Sequence, residues 1–150
     1  MDVNATDSKA GGHDRRVILS TLWIVSVFNY MYADILTLYF GSALQPSAWR
    51  QLMSGHIGSM HITQGIGLLG GVVLETAIVM PLLARILPYQ PNRWANILVG
   101  VIQTAAVAMS LPAPLYQNWF YVFFSVIEIA TTLFIIWYAL TWRRPAGASS

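Results

Sequence analysis

The apolar positions of this chain come in long runs broken by short polar stretches, and the runs divide into four. A helix needs about 20 predominantly apolar residues to cross a bilayer core. Runs of that kind fall at 17–40, 62–87, 94–111 and 118–142, the third being the shortest. Pro88 and Pro91 punctuate the connection between the second and third runs, and Pro112 and Pro114 the next one. Proline lacks a backbone donor and disfavours helix just before it, so both pairs read as turns. The pattern predicts an all-α fold, an integral membrane four-helix bundle over 17–142. The polar, Gly-containing residues 1–16 read as a disordered N-terminal tail and 143–150 as a basic C-terminal tail. The first run is longer than the core of a cleaved signal, so it reads as a span.

Composition supports the bilayer. Of 150 residues, 56% are apolar, 13% aromatic and only 9% charged, with no cysteine. A soluble domain carries roughly a quarter of its residues as charges. The lack of cysteine excludes disulfides, thiolate metal sites and dithiol redox chemistry. The net charge of +2 sits mostly at the termini and argues against nucleic acid as a partner. Of the eight Lys and Arg, only Arg50 lies in the first loop. Lys9, Arg15, Arg16, Arg85, Arg93, Arg143 and Arg144 all fall on the other side of the four spans. By the positive-inside rule both termini are then cytoplasmic.

The acids carry the chemical signal. Asp2, Asp7 and Asp14 lie in the tail, but Asp34, Glu75 and Glu128 fall inside spans, where each costs about 2.5–3.5 kcal/mol at a helix centre. No Lys or Arg lies within a span to neutralise them. Three solutions remain: protonated carboxyls, a bound cation or basic ligand, or a water-filled cavity. At 100° per residue, Tyr30 and Asp34 share a face of the first span with Ser20 and Trp23 nearby. His61, Gln64, Gly71 and Glu75 align on the second, Asn96, Gln103 and Ser110 on the third, and Tyr121, Glu128 and Thr132 on the fourth. Four such stripes are expected to face one another rather than lipid. Glu75 and Gln103 each lie about 15 Å from the cytoplasmic arginines, near mid-bilayer, with Glu128 and Asp34 further out and His61 at the outer lip. The expectation is an acidic funnel opening outwards, lined by Asp34, Glu75, Glu128, Gln103, Tyr30, His61, Gln64, Asn96 and Tyr121.

Other features carry less. His56 and His61 do not share a helical face, and neither a metal centre nor a bound cofactor is expected. Gly67 and Gly71 form a G-x-x-x-G, the pattern of close helix approach within a bundle or at a dimer seam. Pro81 sits inside the second span, where proline kinks a helix or is simply tolerated. Residues 46–53 read either as a short helix on the outer surface, with Ser47 as its cap, or as an ordinary loop.

Three segments carry a resemblance: Leu22-Trp23-Ile24 with Asn29-Tyr30-Met31-Tyr32-Ala33-Asp34; Glu75 with its apolar run to Leu83 and Arg85; and Asn92-Arg93-Trp94-Ala95-Asn96-Ile97. Together they resemble a family of small four-span bacterial membrane proteins catalogued only as a domain of unknown function, over about 17–142. The resemblance implies a four-helix membrane fold in a bacterial inner membrane and brings no activity with it.

The functional expectation is a small, homo-oligomeric membrane protein whose acidic cavity binds or moves a small cation or an amphiphile. Glu75 would exchange a proton for the cargo, and Asp34 and Glu128 would guard the mouth. One alternative is a membrane-embedded enzyme using a protonated carboxyl as general acid on a lipid or isoprenoid. The other is an accessory subunit whose polar stripes pack it against a larger partner.

Overall fold

The computed structural model describes residues 3–142, with side chains from Asp14 onward except that of Leu115. The basic tail expected at 143–150 lies outside the described residues. The chain is all-α apart from one minimal hairpin: α1 (Val3–Leu44), α2 (Pro46–Met53), β1 (His56–Ile57), β2 (Met60–His61), α3 (Gln64–Ile86), α4 (Tyr89–Ser110), a 3-10 turn (Pro114–Tyr116) and α5 (Trp119–Leu140). Three helical segments are long and apolar enough to cross a membrane: Asp14–Leu44, Gln64–Ile86 and Trp119–Leu140.

Helix ends follow local chemistry. Thr63 caps α3 by accepting from the Ile66 amide, and Asn118 caps α5 by accepting from the Tyr121 amide at 2.8 Å. Pro88 stands just ahead of α4, and Pro91 falls in its first turn rather than in the loop. First-turn amides have no intrahelical acceptor, so a missing donor there breaks nothing. The third helix therefore begins at Tyr89, five residues before the expected Trp94.

Two further boundaries differ from expectation. α1 is already helical at Val3, within the segment predicted as a disordered tail. Extending an existing helix adds a hydrogen bond per residue without a new nucleus. Residues 46–53 do form a helix, but its cap position is Gln45, with Pro46 in the first turn, and not Ser47. Proline's fixed φ suits the first helical position, which moves the boundary back. The His56–Ile57/Met60–His61 hairpin was not expected. Gly58, at φ +60°, starts its two-residue turn, a conformation glycine adopts without a side-chain penalty.

α1 packs on α3 and α5, and α4 on α5 and less extensively on α3, closing a four-membered ring. Its apolar core gathers Leu19, Trp23, Ala77, Met80, Ala84 and Ile135. α4 and α5 approach closely at Gly100, where a Cβ would meet Ile136 Cγ1 at 2.7 Å. α3 behaves differently along its length. Ala77, Met80 and Ala84 are buried, but every residue from Gln64 to Val72 is exposed.

Candidate functional site

Three of the four expected polar stripes turn inward. Ser20, Ser26, Asn92, Asn96, Gln103, Ser125, Glu128 and Thr132 are all buried. A helix in lipid must satisfy its polar side chains internally, and Ser20, Ser26, Asn92, Asn96, Gln103, Glu128 and Thr132 do so across helices.

Glu128 is the buried acid. It is 1% exposed, and it accepts the Ser26 hydroxyl on Oε1 at 2.9 Å and the Asn29 amide on Oε2 at 3.2 Å. Asn29 also donates to the Phe124 carbonyl, so α1 grips α5 at two points. Ser26 and Asn29 were missed in the sequence. Asn29 sits 100° from Tyr30, off the stripe drawn through Tyr30 and Asp34. The available signal was its i, i+3 spacing from Ser26, which puts two polar groups on one flank.

Around Glu128 the structure gathers further members of the predicted site. The Tyr30 hydroxyl is buried and finds no hydrogen-bond partner. It lies within coulombic range of Glu128, Asp34 and, most weakly, Glu75. Tyr121 donates to or accepts from Ser110 at 3.1 Å, stacks on Tyr116 with centroids 4.3 Å apart, and senses both Asp34 and Glu128. Tyr116 lies in the loop before α5; burial, and then the Asp34 charge, push its phenol above the ordinary range. Asp34 itself is exposed on α1, one helical turn beyond Tyr30. Two carboxyls and three phenols from α1, α5 and the adjoining turn thus share one region.

Other predicted members lie elsewhere. Asn96 is spent on structure: its Oδ1 accepts the Trp23 indole at 2.7 Å, and its amide donates to both the carbonyl and the side chain of Asn92. Gln103 donates to the Val73 carbonyl and to Thr76, tying α4 to α3 without touching Glu75. Glu75 cannot be reached from there. At 100° per residue it points about 160° away from the buried Ala77, and its neighbours Gly71, Val72, Ile78 and Val79 are all exposed. The α3 stripe expected to face the funnel therefore faces outward. The small Ala77 and Ala84 take the inward positions, because they let α3 approach its neighbours closely. Gln64 is exposed on that outward side, and His61 stands in the hairpin with its ring edge-on to His56.

Among the described residues no three His, Asp or Glu side chains lie close enough to hold a metal ion. The region combines carboxyls, which can carry charge, with aromatic ring faces of the kind that make cation–π contacts.

A family model matches residues 10–149 of the sequence. The chain belongs to a family of unknown function, DUF6326. No curated protein and no solved structure matches it. Membership of DUF6326 fits the resemblance seen in the three sequence segments and adds no activity to it.

Proposed function

We propose that this protein binds a small organic cation or a cationic amphiphile at the carboxyls and phenols gathered where α1 meets α5, exchanging it for a proton. The observation that carries the reading is the Tyr30 hydroxyl, buried without a partner one helical turn from Asp34, on the helix whose Ser26 and Asn29 hold Glu128. A buried polar atom lacking its hydrogen bond is costly and marks a place where something else completes the set. No Lys or Arg lies between Arg16 and Arg50 or between Arg93 and Arg143, so a ligand supplies any positive charge. A carboxyl that holds a proton costs less in a bilayer than a bare carboxylate. An arriving cation pairs with the carboxylate, and the released proton leaves by the outer mouth at Asp34. Dissociation of the cation returns the proton.

The reading includes four crossings of a bacterial inner membrane with both termini in the cytoplasm, supported by the distribution of Lys and Arg. Isothermal titration of the protein in nanodiscs with tetraphenylphosphonium tests the site, using two buffers that differ in ionisation enthalpy. Saturable binding with proton release is expected, and its loss in Asp34→Asn and Glu128→Gln. Heats that do not saturate, or that are unchanged in both variants, overturn the reading.

A further inference from the structure

Five residues apart, His56 and His61 would diverge by about 140° on a helix, but the chain between them is a hairpin. In it they stand directly opposite each other. The Ile62 amide donates to the Gly55 carbonyl at 2.7 Å, bonding the residues just beyond them. Bonded and non-bonded pairs alternate along an antiparallel ladder, so the two histidines form a non-hydrogen-bonded pair, the kind whose side chains lie closest. Their ring centroids are 4.9 Å apart, edge to face. Both project from one side of the ribbon, and Ile57 and Met60 from the other.

One ring is also oriented. His56 Nδ1 lies 3.1 Å from the Ser54 carbonyl oxygen. A carbonyl only accepts, so Nδ1 carries the hydrogen and Nε2 is the nitrogen left for another partner. Metal-bound histidines are held in this way, one ring nitrogen donating to a carbonyl while the other ligates. The spacing fits as well. With metal–nitrogen bonds of about 2.0–2.1 Å and about 1.1 Å from nitrogen to ring centre, two imidazoles at about 90–110° on one ion have centroids about 4.5–5 Å apart.

We propose that His56 and His61 together chelate one divalent transition-metal ion, Cu²⁺ ahead of Ni²⁺ and Zn²⁺. Imidazole suits all three, and Cu²⁺ stands highest in their order of affinity. Once one ring has bound, the second acts intramolecularly, so the pair binds far more tightly than either ring alone. Among the described residues no further His, Asp or Glu completes the set, so water fills the remaining positions. His61 is exposed, and its side chain turns onto the shared ion with the backbone in place. The bound ion ties β1 to β2, a two-stranded hairpin that is marginal on its own.

Isothermal titration with CuCl2 of protein in nanodiscs, purified without a polyhistidine tag, tests the site. One ion per chain is expected, with a Kd on the order of micromolar, and His56→Ala and His61→Ala are each expected to weaken it about tenfold or more. His61→Ala combined with Met60→His keeps the number of histidines but moves one ring to the opposite side of the ribbon, and is expected to bind no better than His61→Ala. Electron paramagnetic resonance is expected to show two imidazole nitrogens on Cu²⁺ in the parent and one in each single variant. Heats that do not saturate, an affinity unchanged in either single variant or recovered by Met60→His, or a parent spectrum with a single imidazole each overturn the proposal.

Discussion

The hydroxyl of Ser26 on α1 donates to the carboxyl of Glu128 on α5 at 2.9 Å, joining two buried residues 102 positions apart in the chain. With Asn29 on the second carboxyl oxygen, Glu128 acts as the acceptor hub of this helix pair. Glu128→Leu removes the hub and strands its donors unequally. Ser26 can turn back to a carbonyl of its own helix, and Asn29 keeps its bond to Phe124 with one donor unused. A loss of about 1–2 kcal/mol is expected for Glu128→Leu, and less than about 1 kcal/mol for Ser26→Ala. Reversible unfolding in mixed micelles measures both. Asn29→Ala combined with Glu128→Leu is expected to cost less than the sum of the two, because they remove the same bond.

Trp23 ties α1 to α4 through Asn96, whose amide already serves Asn92. Trp23→Phe keeps most of the ring but leaves the Asn96 oxygen buried without its donor. About 1–3 kcal/mol of stability is expected to go, seen as a lower unfolding midpoint. Asn96→Leu in the same background is expected to give no recovery, because it strands the buried Asn92 side-chain oxygen in turn. An unchanged midpoint for Trp23→Phe would mean that the indole donor contributes nothing.

α4 and α5 approach closely at Gly100. A side chain there collides first with Ile136 Cγ1 and then nears the Thr132 carbonyl. Gly100→Leu is expected to cost about 1–3 kcal/mol by overpacking, despite leucine's better helix propensity. Gly67→Ala meets nothing within its own chain and is expected to hold or raise monomer stability. Thermal unfolding of both variants in detergent compares the two sites, and a Gly100→Leu protein as stable as the parent would show that α5 yields freely.

What could be read in the sequence follows from which forces are local. Long apolar runs, proline turns and caps act over a few residues, so α3 and α5 could be drawn within two positions of their ends, whereas α1 and α4 start well ahead of the apolar runs that marked them. Placing Glu128, Tyr30, Tyr121 and Asp34 near one another needed only helical phase and the rule that charges avoid lipid. The orientation of α3 was out of reach. Its Gln64–Glu75 stripe and its Ala77–Ala84 stripe are both chemically credible inward faces, and the choice depends on how closely α1 and α4 approach. Glu75 was expected in the funnel because a carboxyl within a span was assumed to face the interior of its own bundle, whereas it is exposed on α3. Asn29 was overlooked because one axis was drawn for α1, although that helix packs on two neighbours at once.

The number of crossings rests on α4, which falls short of the hydropathy that marks α1, α3 and α5 as spans. Averaging over a whole helix ignores which way its polar groups face. Asn92, Asn96 and Gln103 are buried and hydrogen-bonded, and Trp94, Leu98, Val101, Ile102 and Met109 form the exposed side. From Trp94 onward the exposed residues of α4 are all apolar. At 1.5 Å per residue, 22 residues reach about 33 Å, enough for the hydrocarbon core. α4 is therefore expected to cross, which brings the two termini to the same side. Reporter fusions at each terminus, one active only in the cytoplasm and one only outside it, decide the matter. Two cytoplasmic termini give four crossings, and termini on opposite sides leave α4 out of the membrane, with its polar flank packed for another purpose.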